Sequence, residues 1–306
     1  MKDLPLSVNR PALCVPMFVL ALAACGGGGG GEAGSPTAAD PASASPASSS
    51  AGGAAAGTSS GTATASVRSA AECLDTASYQ AGYVQTTRHR VSDGSEQLYR
   101  VSTVGPVTHS GAAATEFRLE DLLATGAAPA RVIRRLSGGE VYDVAVIAVQ
   151  RSGGIDYTLE MTLSPFPPEG FSLKVGESRA TGTVTTQLTA SAPGQPAQSM
   201  TQTSLSTLRF AGFETVTVPA GTFADTCRID SATTMNGTTT RTSTWYANRH
   251  GFIVKAVDAD GVSRELVGAQ IGSQLIAGTV QRPTTPATTP ATTPTTPTLP
   301  AGGLKR

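Results

Sequence analysis

Charge is scarce in this chain. Only 14% of its 306 residues are charged, and 22 Lys and Arg balance 22 Asp and Glu to a formal net charge of zero. That balance argues against a nucleic-acid binder, which needs a basic face. Aromatic residues are equally sparse at 5%, with one tryptophan, and all but Phe18 lie between Tyr79 and Phe252. A folded core is therefore to be sought in that interval. There are three histidines, His89, His109 and His250, and no His-x-His, Cys-x-x-Cys or His-Glu-x-x-His spacing, so no zinc-site pattern is present. No apolar run approaches the ~20 residues of a membrane-spanning helix.

Set against these shortages is a distinct order of segments. Lys2 and Arg10 precede a mostly apolar run over residues 12–24 that ends in Leu22-Ala23-Ala24-Cys25-Gly26. Charge, short apolar core and small residues in that order predict a secretory signal peptide over residues 1–24. Residues 25–68 are Gly-, Ala-, Ser-, Thr- and Pro-rich with almost no charge, a composition that cannot offset ordering entropy by burial and reads as a spacer. Residues 69–282 carry the folding signal. Residues 283–306 repeat Thr-Thr-Pro, and proline at this density excludes helix and central strand.

Cys14 leaves with the signal. Of the others, Cys73 and Cys227 are the pair expected to remain as thiols in an oxidising compartment, either as one disulfide or as two separate buried thiols. A bond between them would stabilise the fold by about 4 to 5 kcal/mol in the chain-entropy picture.

Leu22-Ala23-Ala24-Cys25 resembles the lipobox of bacterial lipoproteins, in which the cysteine becomes the acylated N-terminus. The resemblance implies lipidation of Cys25 and, with Gly26 rather than aspartate following it, anchoring in an outer membrane, facing periplasm or cell surface. More than one acyl chain makes such anchoring stable.

Within the folding segment, apolar Ile155, Tyr157, Leu159, Met161 and Leu163 alternate with Asp156, Thr158, Glu160 and Thr162, the pattern of a half-buried strand. Residues 141–149 are apolar on nearly both faces apart from Asp143, and predict a centrally packed strand. Turn signals such as Ser92-Asp93-Gly94, Asn236-Gly237 and Asp260-Gly261 separate further runs. The fold class expected is all-β and mainly antiparallel, as a strongly curved sheet or half-barrel, with a β-sandwich as the alternative. Helix is expected only around residues 70–76, capped by Ser69, and around residues 116–124.

Phe171-Ser172-Leu173-Lys174-Val175-Gly176, the Val218-Pro219-Ala220-Gly221-Thr222-Phe223 turn, Trp245-Tyr246 and Gly251-Phe252-Ile253-Val254-Lys255 occur in that order. They resemble motifs of a group of secreted bacterial domains of unknown function, the DUF3108-like group, which is similar in turn to the lipoprotein-carrier folds. The resemblance covers about residues 166–267. It assigns Gly176, Pro219, Gly221, Phe223, Trp245, Tyr246, Gly251 and Lys255 as structural motif positions, and implies a curved sheet around an apolar concavity. Each also has a local reason: Pro219 and Gly221 suit a tight turn that returns Phe223 to the core, and Trp245 offers a large apolar anchor.

Chemistry-bearing patterns are weak. His89, between Arg88 and Arg90, reads as exposed; His109 sits before Ser110-Gly111 without a nucleophile-elbow pattern; His250 reads as a turn residue. Glu140, Asp143, Asp156 and Glu160 read as wetting one strand face rather than as an acid pair, and Arg131, Arg134 and Arg135 as a solvated basic edge. Asp258-Ala259-Asp260-Gly261 resembles the start of a calcium loop but lacks its downstream ligands, and reads as a hairpin turn. No catalytic residue, metal or cofactor is assigned. The expectation is a non-enzymatic, lipid-anchored envelope protein that binds a lipid, another apolar ligand or another envelope protein. A structural or surface-interaction module and an unrecognised hydrolase are the alternatives.

Overall fold

The structure, a computed structural model, describes residues 68–124, 126–152 and 154–281. The predicted signal, Cys25, the spacer to residue 67 and the 283–306 tail lie outside the described residues. Thirteen strands follow in chain order: β1 (Val84–Val91), β2 (Glu96–His109), β3 (Ala112–Asp121), β4 (Ala130–Ser137), β5 (Glu140–Ser152), β6 (Ile155–Ser164), β7 (Ser178–Ser191), β8 (Gln198–Val218), β9 (Gly221–Met235), β10 (Thr238–Tyr246), β11 (Ile253–Val257), β12 (Ser263–Ile271) and β13 (Gln274–Gly278).

Every neighbouring pair is antiparallel, and β1 also pairs with β12, from Gln85↔Ile271 to Val91↔Arg264. The curved sheet expected from the alternation thus curls to full closure as a twelve-stranded meander barrel, which leaves no pair of free edges where a half-barrel or sandwich would. β13 extends from β12 on the edge that β11 vacates beyond Glu265. Asn236 (φ 51°) and Gly237 (φ 79°) form the tight β9–β10 turn that the Asn-Gly pair predicts.

A barrel of this girth cannot be filled by wall side chains alone. Two irregular pieces enter it. The first is a pair of short 3₁₀ turns, Ala70–Cys73 and Thr76–Tyr79, which close the end where β1 starts. Ser69 makes no side-chain cap there; Asp75 caps the second turn through Ala77 N. The Cys73–Cys227 disulfide ties this plug to β9. The second is the β6–β7 connection, residues 165–177, which contributes buried Phe171 and Leu173. They join Val141, Leu208, Phe210, Ile229 and Tyr246 in the largest buried cluster.

The 165–177 connection has no continuous ladder, so its N–H groups need other acceptors. Glu140 supplies them. Its Oε1 accepts from Gly170 N at 2.9 Å and Phe171 N at 3.0 Å, and its Oε2 from Ser172 N and Ser172 Oγ at 3.2 and 2.7 Å. Glu140 is only 2% exposed. The expectation that it wets a strand face is therefore wrong: it stands at the start of β5, where the connection comes back to the wall. The expected helix near residues 116–124 is also overturned. Phe117 and Leu119 are buried between charged Glu116, Arg118 and Glu120, a period of two, and β3 runs through to Asp121.

Candidate functional site

Arg134 of β4 and Asp143 of β5 are direct partners across the ladder, just past a bulge, and both point into the barrel. Arg134 Nε donates to Asp143 Oδ1 at 3.0 Å. The 165–177 connection runs beside the start of β5 through Glu169 N to Val141 O at 2.9 Å, which brings Glu169 Oε1 to 2.9 Å from Arg134 Nη2. That approach is poorly aligned for a hydrogen bond. Burial pushes the Glu169 carboxyl up to about 8 against the pull of Arg134, and Asp143 is raised by the same cause. The two acids contact one another and share a proton, with Glu169 as its holder; beside Arg134 the group is close to neutral.

This arrangement corrects two expectations. Arg134 is not part of a solvated edge, although its neighbour Arg131 is surface-exposed and paired with Glu116 at 2.7 Å. Asp143 does not wet an outer face: a carboxylate opposite a buried arginine is what neutralises it. Asp156 and Glu160 do stay largely in solvent.

The group separates two interior chambers, and Glu169 borders both. The smaller, of about 100 Å³, lies under the plug and is walled by Tyr79, Tyr83, Phe117, Phe171 and Tyr246, with Arg134 at its floor. Tyr79 meets Phe117 edge-on at 5.2 Å, and Tyr83 Oη donates to Asp75 Oδ2 at 2.7 Å. Burial raises the Tyr246 phenol well above its ordinary range, so it stays neutral. The larger chamber, of about 240 Å³, has a different wall. Alternation along β8, β9 and β10 turns Ser204, Ser206, Ser231, Thr233, Thr242 and Thr244 into it. Asp143 and Glu169 border it on one side, Arg264 of β12 on another, and exposed Asp258 stands at its rim.

The motif residues frame this interior without lining the larger chamber. Gly176 N donates to Phe210 O at 2.8 Å, closing the connection onto β8. Pro219 and Ala220 form the β8–β9 turn, with Gly221 at φ 132°, and Phe223 packs edge-on against Phe252 at 6.2 Å in a second small core. Trp245 is buried on the outer face, since its neighbours Thr244 and Tyr246 line the chambers; its Nε1 donates to Glu214 Oε2 at 2.7 Å. Lys255 pairs with Glu265 at 2.9 Å. Gly251, at φ 68°, lies against the plug, where a Cβ would come within 3.3 Å of Asp75 N.

His89 overturns its expected exposure. Strand alternation places it inside the barrel with Gln85 and Thr87, its Nε2 is 2.9 Å from Ile253 O, and it is 3% exposed. Burial depresses it to about 4, so it is neutral. The flanking Arg88 and Arg90 alternate to the opposite face of β1. His109 lies 3.7 Å from Glu160, and His250 stacks on Phe252 at 5.7 Å. Asp258 accepts from Asp260 N and Val262 N, the turn expected there. Among the described residues no cluster of three or more His, Cys, Asp or Glu side chains is placed to hold a metal ion.

The interior group had only a faint trace in the sequence. An aspartate in an otherwise apolar strand was the one signal, and its partners come from β4 and from a connection with no periodicity.

No known protein family matches the chain, and no curated protein does. Two solved structures are similar over 64% of this chain and 96% of their own. One is a provisionally described exported protein with a YmcC-like fold from Bacteroides fragilis, at 14% identity and a TM-score of 0.35. The other is a provisionally described lipoprotein from Parabacteroides distasonis, at 13% identity and a TM-score of 0.33. Similarity this distant assigns no role.

Proposed function

We propose that this is a non-enzymatic, lipid-anchored envelope protein whose barrel receives one small polar ligand. The observation that carries the reading is the hydroxyl-walled chamber of about 240 Å³ inside a closed barrel. It falls below the roughly 300–1,000 Å³ of pockets for drug-sized molecules, so its occupant is compact. A binding role is favoured over catalysis because the perturbed acids are committed to Arg134 and to each other. Cys25 supplies the anchor, and residues 25–68 the reach.

The apolar-ligand reading has one observation in its favour, the aromatic wall of the smaller chamber. At about 100 Å³ that space takes no acyl chain unless the plug moves, and Cys73–Cys227 holds the plug. Native mass spectrometry of the full chain extracted in mild detergent separates the two. A retained polar ligand of a few hundred daltons is expected, while a retained lipid would replace this reading with the apolar one. In the same preparation, Cys25→Ser is expected to shift the protein from the membrane to the soluble fraction. Unchanged membrane association would remove the anchor.

A further inference from the structure

Arg264 is the unusual group of the larger chamber. Four charged side chains border that space: Asp143, Glu169, Asp258 and Arg264. The first two are balanced by Arg134, which bonds Asp143 at 3.0 Å and faces Glu169 at 2.9 Å. Asp258 is at the rim, and its Oδ1 is taken by the backbone N–H groups of its own turn. Arg264 is compensated less directly: the charge of Asp258 favours its cationic form without a close ion pair. Nη1 donates a long 3.4 Å bond to Gln97 Oε1, and among the described residues no carboxylate forms an ion pair with it. Burial lowers its affinity for its proton, against the favourable Coulombic pull of nearby groups that include Asp258.

A guanidinium is a planar fork of donors that matches a carboxylate with two parallel bonds. Leaving that fork unmatched beside an internal space is costly unless something fills it. The adjoining wall is a set of hydroxyls that both donate and accept, the complement of a ligand bearing several hydroxyls of its own. We infer that the larger chamber binds a monosaccharide-sized polyhydroxylated carboxylate, with Arg264 gripping the carboxylate and the Ser and Thr side chains of β8–β10 bonding the ligand's hydroxyls. This rests on the proposed receptacle role and deepens it by naming the ligand class and the residue that selects its charge.

Isothermal titration of the full chain in detergent with glucuronate and with glucose tests the inference. Glucuronate is expected to bind at least tenfold more tightly than glucose, and Arg264→Gln to erase that preference. Arg264→Lys keeps the charge but not the fork, and is expected to retain part of the preference, which guards against a folding defect in the glutamine variant. Thr242→Val with Ser231→Ala is expected to weaken both sugars alike. Equal binding of both sugars, insensitive to Arg264, would overturn the charge selection while leaving the receptacle standing. Binding of neither sugar, in protein shown to be folded by circular dichroism, would overturn this inference; the native mass spectrum then decides the receptacle reading separately.

Discussion

Glu169 holds a proton at a pH where an exposed glutamate has lost it, and this has a cost. Its folded pKa of about 8 lies above the ordinary 4.5, so the stability it contributes is complete below 4.5 and is lost as pH rises through 8. At about 1.4 kcal/mol per unit, the loss is of order 5 kcal/mol. His89 acts with the opposite sign. Its folded value of about 4 lies below the ordinary 6.5, so its contribution is complete above 6.5 and is lost as pH falls through 4. Between 4.5 and 6.5 the two slopes oppose, which predicts a plateau there and a decline from 6.5 to 8. Denaturant titrations at stepped pH check this. Glu169→Gln, which is neutral throughout, is expected to flatten the alkaline decline; an unchanged decline would assign it to other groups. Neither residue announced this behaviour in the chain. Glutamate in an irregular stretch and histidine between two arginines look solvated until the barrel closes around them.

Between elements, the least regular segment depends on one side chain. The 165–177 connection enters the barrel because Phe171 and Leu173 are apolar, and it can stay there because Glu140 satisfies its amides. Gly170 is part of the fit: at φ 93° it adopts a backbone conformation disfavoured for other residues, and an added Cβ would press Leu173 at 3.3 Å. Removing the acceptor breaks its bond to Val141 N and strands the N–H groups of Gly170, Phe171 and Ser172, each costing about 1–3 kcal/mol. Glu140→Ala is accordingly expected to lower stability by at least about 3 kcal/mol, and Glu140→Gln, which keeps one acceptor oxygen, by less. Chemical denaturation checks the order. Equal losses would mean that the oxygen count is not what matters. Strands with clean alternation, such as β6, were legible beforehand because one face is wet. This connection was not, because its apolar residues follow no period and its acceptor lies some thirty positions away.

For the whole molecule, closure and the disulfide act together. Cys73 and Cys227 are 154 positions apart, and a loop of that length corresponds to about 5 kcal/mol of denatured-state entropy. The bond also fixes the plug that covers the smaller chamber. Reduction, or Cys73→Ser with Cys227→Ser, is expected to lower the unfolding free energy by up to that amount, read from urea curves with and without reductant. A change below about 1 kcal/mol would show that the plug is held by packing alone.

The order of polar and apolar residues along the chain determined the strands, most of the turns and the all-β antiparallel class, because period-two burial and turn chemistry act between residues close in sequence. Tertiary structure alone decided that the sheet closes, that Arg134, Asp143 and Glu169 meet inside it, and that the hydroxyls of β8–β10 and Arg264 border one chamber. Those outcomes depend on which face of each strand points inward once β1 finds β12, and no local pattern carries that information across nearly two hundred residues.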